Sequence, residues 1–249
     1  MTPVLQTRGL RKEFGGIVAT NDVSLALAPG GRHALIGPNG AGKTTLINLL
    51  TGVLPLSGGS ILLDGVDITR MRPYQRVRSG IARTFQINQL FAELTPHETL
   101  ALTIEQRKGG GNWWTPLAKR SDVAAEANRL LSQFHLSDVA HTRTAVLAYG
   151  KRKLLEIAIA VALRPRVLLL DEPIAGVPAA ESSEILGTLA ALPSDVTVLL
   201  IEHDMDLVFR FATRISVLVN GTILAEGAPV EIARDERVKA AYLGEATHA

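Results

Sequence analysis

The chain has 249 residues, 47% of them hydrophobic and 20% charged, with a formal net charge of +2 and no cysteine. Such a composition belongs to a globular chain with room for a sizeable core, and it excludes a disulfide framework, thiol chemistry and a strongly basic nucleic-acid-binding surface. No apolar run reaches the roughly 18–20 residues of a membrane span: the best candidate, residues 154–170, is cut by Glu156, Arg164, Pro165 and Arg166. The first residues carry no basic region followed by an apolar one, so a soluble, cytoplasmic protein without a signal peptide is expected.

In chain order, residues 4–8 and 23–27 read as short strands around a turn at Gly15-Gly16, and Gly30-Gly31 leads into a further strand. Phe14, on this early hairpin, has two readings: a face for stacking on an adenine ring, or a core aromatic of a small sheet. Residues 32–36 read as a buried strand and residues 44–50 as a helix. Between them stands Gly37-Pro38-Asn39-Gly40-Ala41-Gly42-Lys43-Thr44, followed by Thr45. This is the G-x-x-x-x-G-K-[ST] spelling of a phosphate-binding loop. Its glycines permit backbone angles that a β-carbon forbids, so successive N–H groups turn towards phosphate oxygens. Lys43 supplies a charge for the β- and γ-phosphates to share, and the Thr44 hydroxyl is a hard oxygen ligand for Mg²⁺. The helix N-terminus adds its own partial positive charge. A nucleoside triphosphate site is the expectation.

Ser57-Gly58-Gly59 breaks the chain, residues 60–63 resume a strand, and Asp64-Gly65 marks a turn. A short helix over 73–79 precedes a strand over 81–85, which ends at Gln86. The Gln86 side chain offers a neutral oxygen to a metal or a water, a weak signal taken alone. Thr95-Pro96-His97-Glu98 is a capping box with proline at the first helical position, so a helix starts there and runs towards Arg107. Gly109-Gly110-Gly111 ends it, and the pair Trp113-Trp114 follows in a loop, either touching a membrane face or a partner or packing back on its own helices. Ser121 opens a second helix and a third begins near Gly150, each with apolar residues at helical spacing. Residues 87–162 thus read as a helical insertion in an α/β core.

The core resumes with four consecutive apolar residues, 167–170, the pattern of a central parallel strand, and ends in Asp171-Glu172. Carboxylates at the C-terminal end of such a strand lie where open α/β sheets hold ligands. Asp171 is placed for Mg²⁺ or its water shell, and Glu172, pointing elsewhere, for polarising an attacking water. A helix over 182–192 precedes a buried strand over 196–201, which ends in Glu202-His203-Asp204. At that strand end His203 is placed to hydrogen-bond a γ-phosphate. A helix over 205–212, strands over 215–219 and 223–225, and a helical tail over 238–243 complete the chain.

Phe14, the loop 37–45, Gln86, Leu147-Ala148-Tyr149-Gly150-Lys151, Asp171-Glu172 and His203 resemble, in that order, the ATP-binding subunit of an ABC transporter. The resemblance covers essentially the whole chain. It implies an α/β fold: a P-loop NTPase core of the RecA type, a small N-terminal antiparallel β subdomain and an inserted helical subdomain. It implies one nucleotide-binding domain over 1–249, with 1–86 and 163–249 as core and 87–162 as the helical part. It implies ATP and Mg²⁺ as cofactors. Phe14 falls where the family stacks adenine, Gln86 where it senses Mg²⁺ and water, and His203 where it contacts the γ-phosphate. Residues 147–151 fall where the family caps ATP bound to the partner subunit.

Two departures from the wider family stand out. Its usual Leu-Ser-Gly-Gly-Gln signature has lost the serine hydroxyl at Ala148 and a glycine at Tyr149, which leaves the Gly150 N–H and a helix N-terminus as the anion site. The family's Ser-Ala-Leu-Asp becomes Ala175-Gly176-Val177-Pro178, and Pro178 has neither a carboxylate nor an N–H. Residues 80–86, Glu172-Pro173-Ile174-Ala175-Gly176 and Tyr242-Leu243-Gly244 resemble the subgroup serving bacterial uptake of branched-chain and other hydrophobic amino acids. Importers of urea, amides and aromatic acids resemble it too, and an envelope-lipid exporter ATPase shares the chemistry.

The subgroup implies a second ATPase subunit, a distinct relative or a copy, with two transmembrane permease subunits and an extracytoplasmic solute-binding protein. It implies a peripheral place on the cytoplasmic face of the cell membrane and no nucleic-acid partner. Ile87, Leu90 and Phe91 read either as the docking site for a membrane subunit or as core of the helical part. A non-transport member of the family acting on ribosomes or DNA would need two nucleotide domains or long coiled coils, and the sequence has neither.

Overall fold

A computed structural model describes residues 2–84, 90–109 and 121–243. The chain forms two compact units, Met1–Ile81 with Arg166–Glu172 and Pro193–Ala249, and Ala82–Pro165 with Pro173–Leu192. In chain order come β1 (Leu5–Phe14), β2 (Ile17–Val23), β3 (Ala26–Leu27), β4 (Arg32–Ile36), α1 (Lys43–Thr51), β5 (Gly58–Leu63), β6 (Val66–Asp67), α2 (Pro73–Ser79) and β7 (Ile81–Arg83). Next are α3 (Pro96–Arg107), α4 (Ser121–Gln133), α5 (Tyr149–Ala162), β8 (Val167–Asp171) and α6 (Ala179–Ala190). The chain closes with β9 (Thr197–Ile201), α7 (Met205–Phe211), β10 (Arg214–Val219), β11 (Thr222–Gly227), α8 (Pro229–Arg234) and α9 (Glu236–Leu243).

In the sheet of order β11-β10-β4-β9-β8-β7, the strands β10, β4, β9 and β8 run parallel, and these belong to the first unit. Every residue of β8 and β9 is buried. Strands covered on both faces must be apolar throughout, which is why both read as unbroken hydrophobic runs. The β10–β11 turn places Asn220 at φ 47° and Gly221 at φ 76°, the two left-handed residues that a tight hairpin needs.

A second, antiparallel sheet of order β2-β1-β5-β6 carries the N-terminal strands. Here β1 is ten residues long, where the sequence predicts a strand over 4–8. The extra length comes from the hairpin: Phe14 pairs with Ile17 across Gly15-Gly16, with Gly15 at φ 59°, so the ladder continues to the turn. The strand expected over 23–27 resolves into β2 and β3. Beneath α1, the guanidinium of Arg76 is buried and donates to the carbonyls of Leu49 at 2.6 Å, Leu50 at 2.8 Å and Thr69 at 2.8 Å. It satisfies the orphan acceptors at the end of the helix that follows the phosphate loop.

In the second unit α3 starts as its capping box dictates. The Glu98 N–H donates to Thr95 Oγ1 at 3.2 Å, and the Thr95 N–H donates to Glu98 Oε2 at 2.9 Å. Helix α4 buries Val123, Ala127, Leu130 and Leu131 at helical spacing. Its Glu126 takes a two-pronged bond from Arg107 at 3.0 and 2.8 Å and another from Arg164 at 3.1 and 2.8 Å. Those hydrogen bonds, Arg107 first, hold the Glu126 carboxyl down at about 2. Residues 173–192 pack in this unit, a grouping the helical part expected over 87–162 leaves out. Hydrogen bonds from the start of α5 account for it: the Tyr149 hydroxyl donates to the Ala175 carbonyl at 3.2 Å, and Lys151 Nζ lies 3.4 Å from Glu184 Oε1. Helix α6 begins at Ala179, ahead of the 182 expected, with Pro178 as its N-cap residue. The six-residue α8 carries no sequence-based expectation at all.

Candidate nucleotide site

Three parallel strands set the site. The register places Leu35 of β4 beside Ile201 of β9, and Ile201 beside Asp171 of β8. One step further along each strand lie Ile36 and Gly37, Glu202-His203, and Glu172. Neighbouring strands are about 4.8 Å apart, so the three segments that the sequence singles out meet at one end of one sheet, roughly 10 Å across. This is the carboxyl end, where open parallel sheets hold their ligands.

The loop itself needs its glycines. A β-carbon on Gly37 would overlap the Leu218 carbonyl oxygen, and Gly42, the N-cap residue of α1, sits at φ 102°. Gly42 makes no side-chain cap, so the first N–H groups of α1 receive no bond from that position and face the loop. Lys43 Nζ donates to the carbonyls of Gly37 at 2.5 Å and Pro38 at 2.8 Å, folding back over the loop. Pro38, Asn39, Gly40, Ala41, Thr44 and Thr45 complete the loop and the first turn, and the Ala41 carbonyl is pinned by the Gly221 N–H at 2.9 Å.

Asp171 is 3% exposed at the end of β8. Glu172, next in the chain, adopts φ 48°, a left-handed conformation that costs a β-carbon-bearing residue about 1 kcal/mol or more. Its N–H is held by the Ile201 carbonyl at 2.9 Å. His203 Nδ1 lies 3.9 Å from Glu172 Oε1 and 3.8 Å from Glu202 Oε2. Glu202 is a residue to which the sequence pattern gives no role. Its carboxylate is 1% exposed and accepts the His203 N–H at 3.1 Å, bracing the segment that presents His203. A buried acid beside a strand-end histidine is invisible in sequence because Glu is ordinarily a surface residue. Asp204 works on the helix side of the same segment, capping α7 by accepting the Leu207 N–H at 3.1 Å.

Phe14 is 45% exposed, so the core-aromatic reading fails. Lys12 Nζ lies 4.9 Å from its ring centroid, and Ile17 and Val18 beside it are exposed as well. Gln86, Ile87, the tryptophan pair and Gly244 lie outside the described residues. Phe91 is 70% exposed, as is its neighbour across the Ala145–Ala92 backbone bond, Val146, at 74%, so Phe91 is not core of its unit. In the second unit Leu147 is buried, Ala148 is the N-cap residue of α5, and Tyr149, Gly150 and Lys151 form its first turn.

A strand, a glycine loop closed by Lys-Thr, and two acidic strand ends define a nucleoside-triphosphatase. A model of the ABC transporter family matches residues 20–175, and the chain belongs to that family of ATP-binding cassettes. A second model, described as a branched-chain amino acid ATP-binding cassette transporter, matches residues 222–248. The chain is 41% identical to the high-affinity branched-chain amino acid transport ATP-binding protein BraF of Pseudomonas aeruginosa, over 98% of this chain and 99% of that one. It is 42% identical to LivG of Escherichia coli, which bears the same description, over the same shares. Among solved structures, the ADP conformation of an ATP-binding cassette of an ABC transporter superposes with a TM-score of 0.85 at 32% identity, over 98% of this chain and 100% of that one. The α/β fold expected of the family is the fold observed.

Proposed function

We propose that this chain is the ATP-hydrolysing subunit of a membrane importer for branched-chain or other hydrophobic amino acids. The observation that carries the reading is the convergence of the phosphate loop, Asp171-Glu172 and His203 on three adjacent strand ends. The tail over 222–248 favours amino-acid import among the solutes such cassettes serve.

ATP binds with its phosphates in the loop 37–45, where backbone N–H groups and the α1 N-terminus receive them. Lys43 exchanges its two loop carbonyls for the β- and γ-phosphates, a short swing of a side chain already over the loop. Thr44, in the first turn of α1, and Asp171, at the end of β8, offer the hard oxygen donors that Mg²⁺ takes, with Gln86 as a further oxygen. Bound there, Mg²⁺ supplies neutralisation of phosphate charge. Glu172, next after Asp171, polarises the attacking water, and His203 hydrogen-bonds the γ-phosphate. Phe14 stacks on adenine. Both compact units serve one nucleotide-binding domain. Two such subunits enclose ATP between the loop of one and residues 147–151 of the other.

None of the described helices is long and apolar enough to cross a membrane, so the span comes from separate permease subunits, with a solute-binding protein for uptake. The exposed Phe91 and Val146, with Leu90, are the surface we assign to docking them, and peripheral attachment to the cytoplasmic face of the membrane follows. The deciding experiment substitutes Glu172→Gln. ATP affinity holds while steady-state phosphate release falls by about 10²–10⁴, the usual worth of a general base. Phosphate release within a few-fold of the parent would overturn the assignment.

A further inference from the structure

The anion site left in the altered signature is already taken. The N–H of Gly150 donates to Glu181 Oε2 at 3.0 Å, and a β-carbon placed on Gly150 would overlap that carboxylate. Both residues belong to the second unit. Helix α5 is fourteen residues long and its N-cap residue, Ala148, has no side chain able to cap it. The first-turn N–H groups therefore need an acceptor from elsewhere, and Glu181 supplies one. The same carboxylate sits in the first turn of α6, three residues after Pro178, so the N-terminal ends of two helices converge on it.

Its neighbours reinforce the arrangement. The Tyr149 hydroxyl donates to the Ala175 carbonyl at 3.2 Å, beside Gly176 at φ 73°. Lys151 Nζ lies 3.4 Å from Glu184 Oε1 and donates to the His135 carbonyl at 2.5 Å. Three consecutive residues, Tyr149, Gly150 and Lys151, are thus tied to the stretch 175–184. A tyrosine stands where the wider family has a glycine, and it makes one of these ties.

We infer that Glu181 is a built-in competitor of the partner subunit's nucleotide: its carboxylate holds the Gly150 N–H until the γ-phosphate of the facing ATP displaces it. The inference rests on the reading of residues 147–151 as the cap over that phosphate. The single Gly150 N–H does not serve a carboxylate and a phosphate together, and the two like charges repel, so closure of the ATP-bound pair requires the Glu181 side chain to swing out. The displaced contact is a hydrogen bond to a charged group, and its loss makes association about tenfold weaker than it is without the carboxylate. The segment that carries Glu181 begins directly after the catalytic strand end, at Pro173. Release at the signature therefore reaches Ala175 and Pro178 along the same short stretch of chain.

The test uses sedimentation of the full chain with ATP and Mg²⁺ in a Glu172→Gln background, which keeps the nucleotide unhydrolysed. Adding Glu181→Gln lowers the protein concentration needed for association about tenfold, because the neutral amide competes less well for the Gly150 N–H. Glu181→Ala, which removes the acceptor outright, does the same or more while costing α5 its cap and some melting temperature. Titration with a fluorescent ATP analogue gives the same monomer affinity in all three, since the phosphate loop is untouched. Association unchanged or weakened without Glu181, or absent in every variant, overturns the inference and leaves the carboxylate a plain helix cap. Adding Ala148→Asp to the Glu181→Gln variant separates the two layers. It puts a carboxylate back at the same helix end and abolishes association if that end receives phosphate. Association that survives Ala148→Asp sinks the cap reading itself.

Discussion

Phe14 and Glu172 show what single residues contribute. The ring of Phe14 is half in water at the end of β1, held in place by Lys12 at 4.9 Å, with nothing of a core position about it. Phe14→Ala is expected to weaken ATP-analogue binding by roughly 1–3 kcal/mol, the worth of one base–aromatic stack, with the melting temperature nearly unchanged. Equal affinity for the variant and the parent would remove Phe14 from the site. Glu172 carries its strain for a geometric reason. A residue in extended conformation after β8 would continue the strand, and the left-handed turn at φ 48° ends it at Glu172.

At the scale of elements, β4, β10 and β11 are cross-linked by one buried polar chain. The Ser216 hydroxyl donates to Glu226 Oε2 at 2.7 Å, so its one proton is spent there and its oxygen accepts from His33 Nε2–H at 2.8 Å. That network fixes Nε2 as a protonated nitrogen of the imidazole. Burial pushes His33 down to about 4, with Glu226 pulling it up and Arg214 pushing it further down. A histidine depressed in the folded state binds fewer protons than the unfolded chain between pH 6.5 and 4. Its stabilisation is therefore complete above 6.5 and is lost as pH falls towards 4. Melting temperature should fall across that window by the equivalent of a few kcal/mol at most, and His33→Gln should flatten the slope. The Glu126 carboxyl acts elsewhere on the scale: held at about 2, it gives up its share only as pH drops from the ordinary glutamate range towards 2. A slope between pH 6.5 and 4 that is the same in His33→Gln would move the effect to other groups.

For the whole molecule, the two ends of the chemistry are unequal. The phosphate loop, Asp171, Glu172 and His203 are intact, whereas on the proposed reading of residues 147–151 Ala148, Tyr149 and Pro178 reduce what this chain offers its partner, and Glu181 accepts the Gly150 N–H. A homodimer would set two weakened caps over two sound loops. We therefore expect the working unit to pair this chain with a distinct ATPase relative carrying the usual Ser-Gly-Gly signature. The isolated chain should be largely monomeric with ATP at micromolar concentration and slow in turnover, and mixing with that relative should raise phosphate release severalfold. Brisk turnover by a tight homodimer of the purified chain would refute this. Electrostatic competition at the signature and substitution at Ala148 act on the same helix end, so their effects on association are not expected to add.

The loop, the buried strands and the strand-end carboxylates were all legible in the order of residues, because each depends on local chemistry: glycine dihedrals, unbroken apolar runs, a polar end to an apolar strand. The start of α3 was legible for the same reason, since Thr95, Pro96 and Glu98 suffice to set it. The exposure of Phe14 was not, because a lone aromatic on a hairpin has no periodicity to say which face it takes. Folding was needed to bury the Glu202 carboxylate at the strand end, and to bring Glu181 onto Gly150 across 31 positions of chain. Those contacts depend on which side of a turn a carboxylate emerges and on which helix end lacks a cap of its own. Local pattern carries neither, because the burial of an acid and the meeting of two distant segments both arise only on folding.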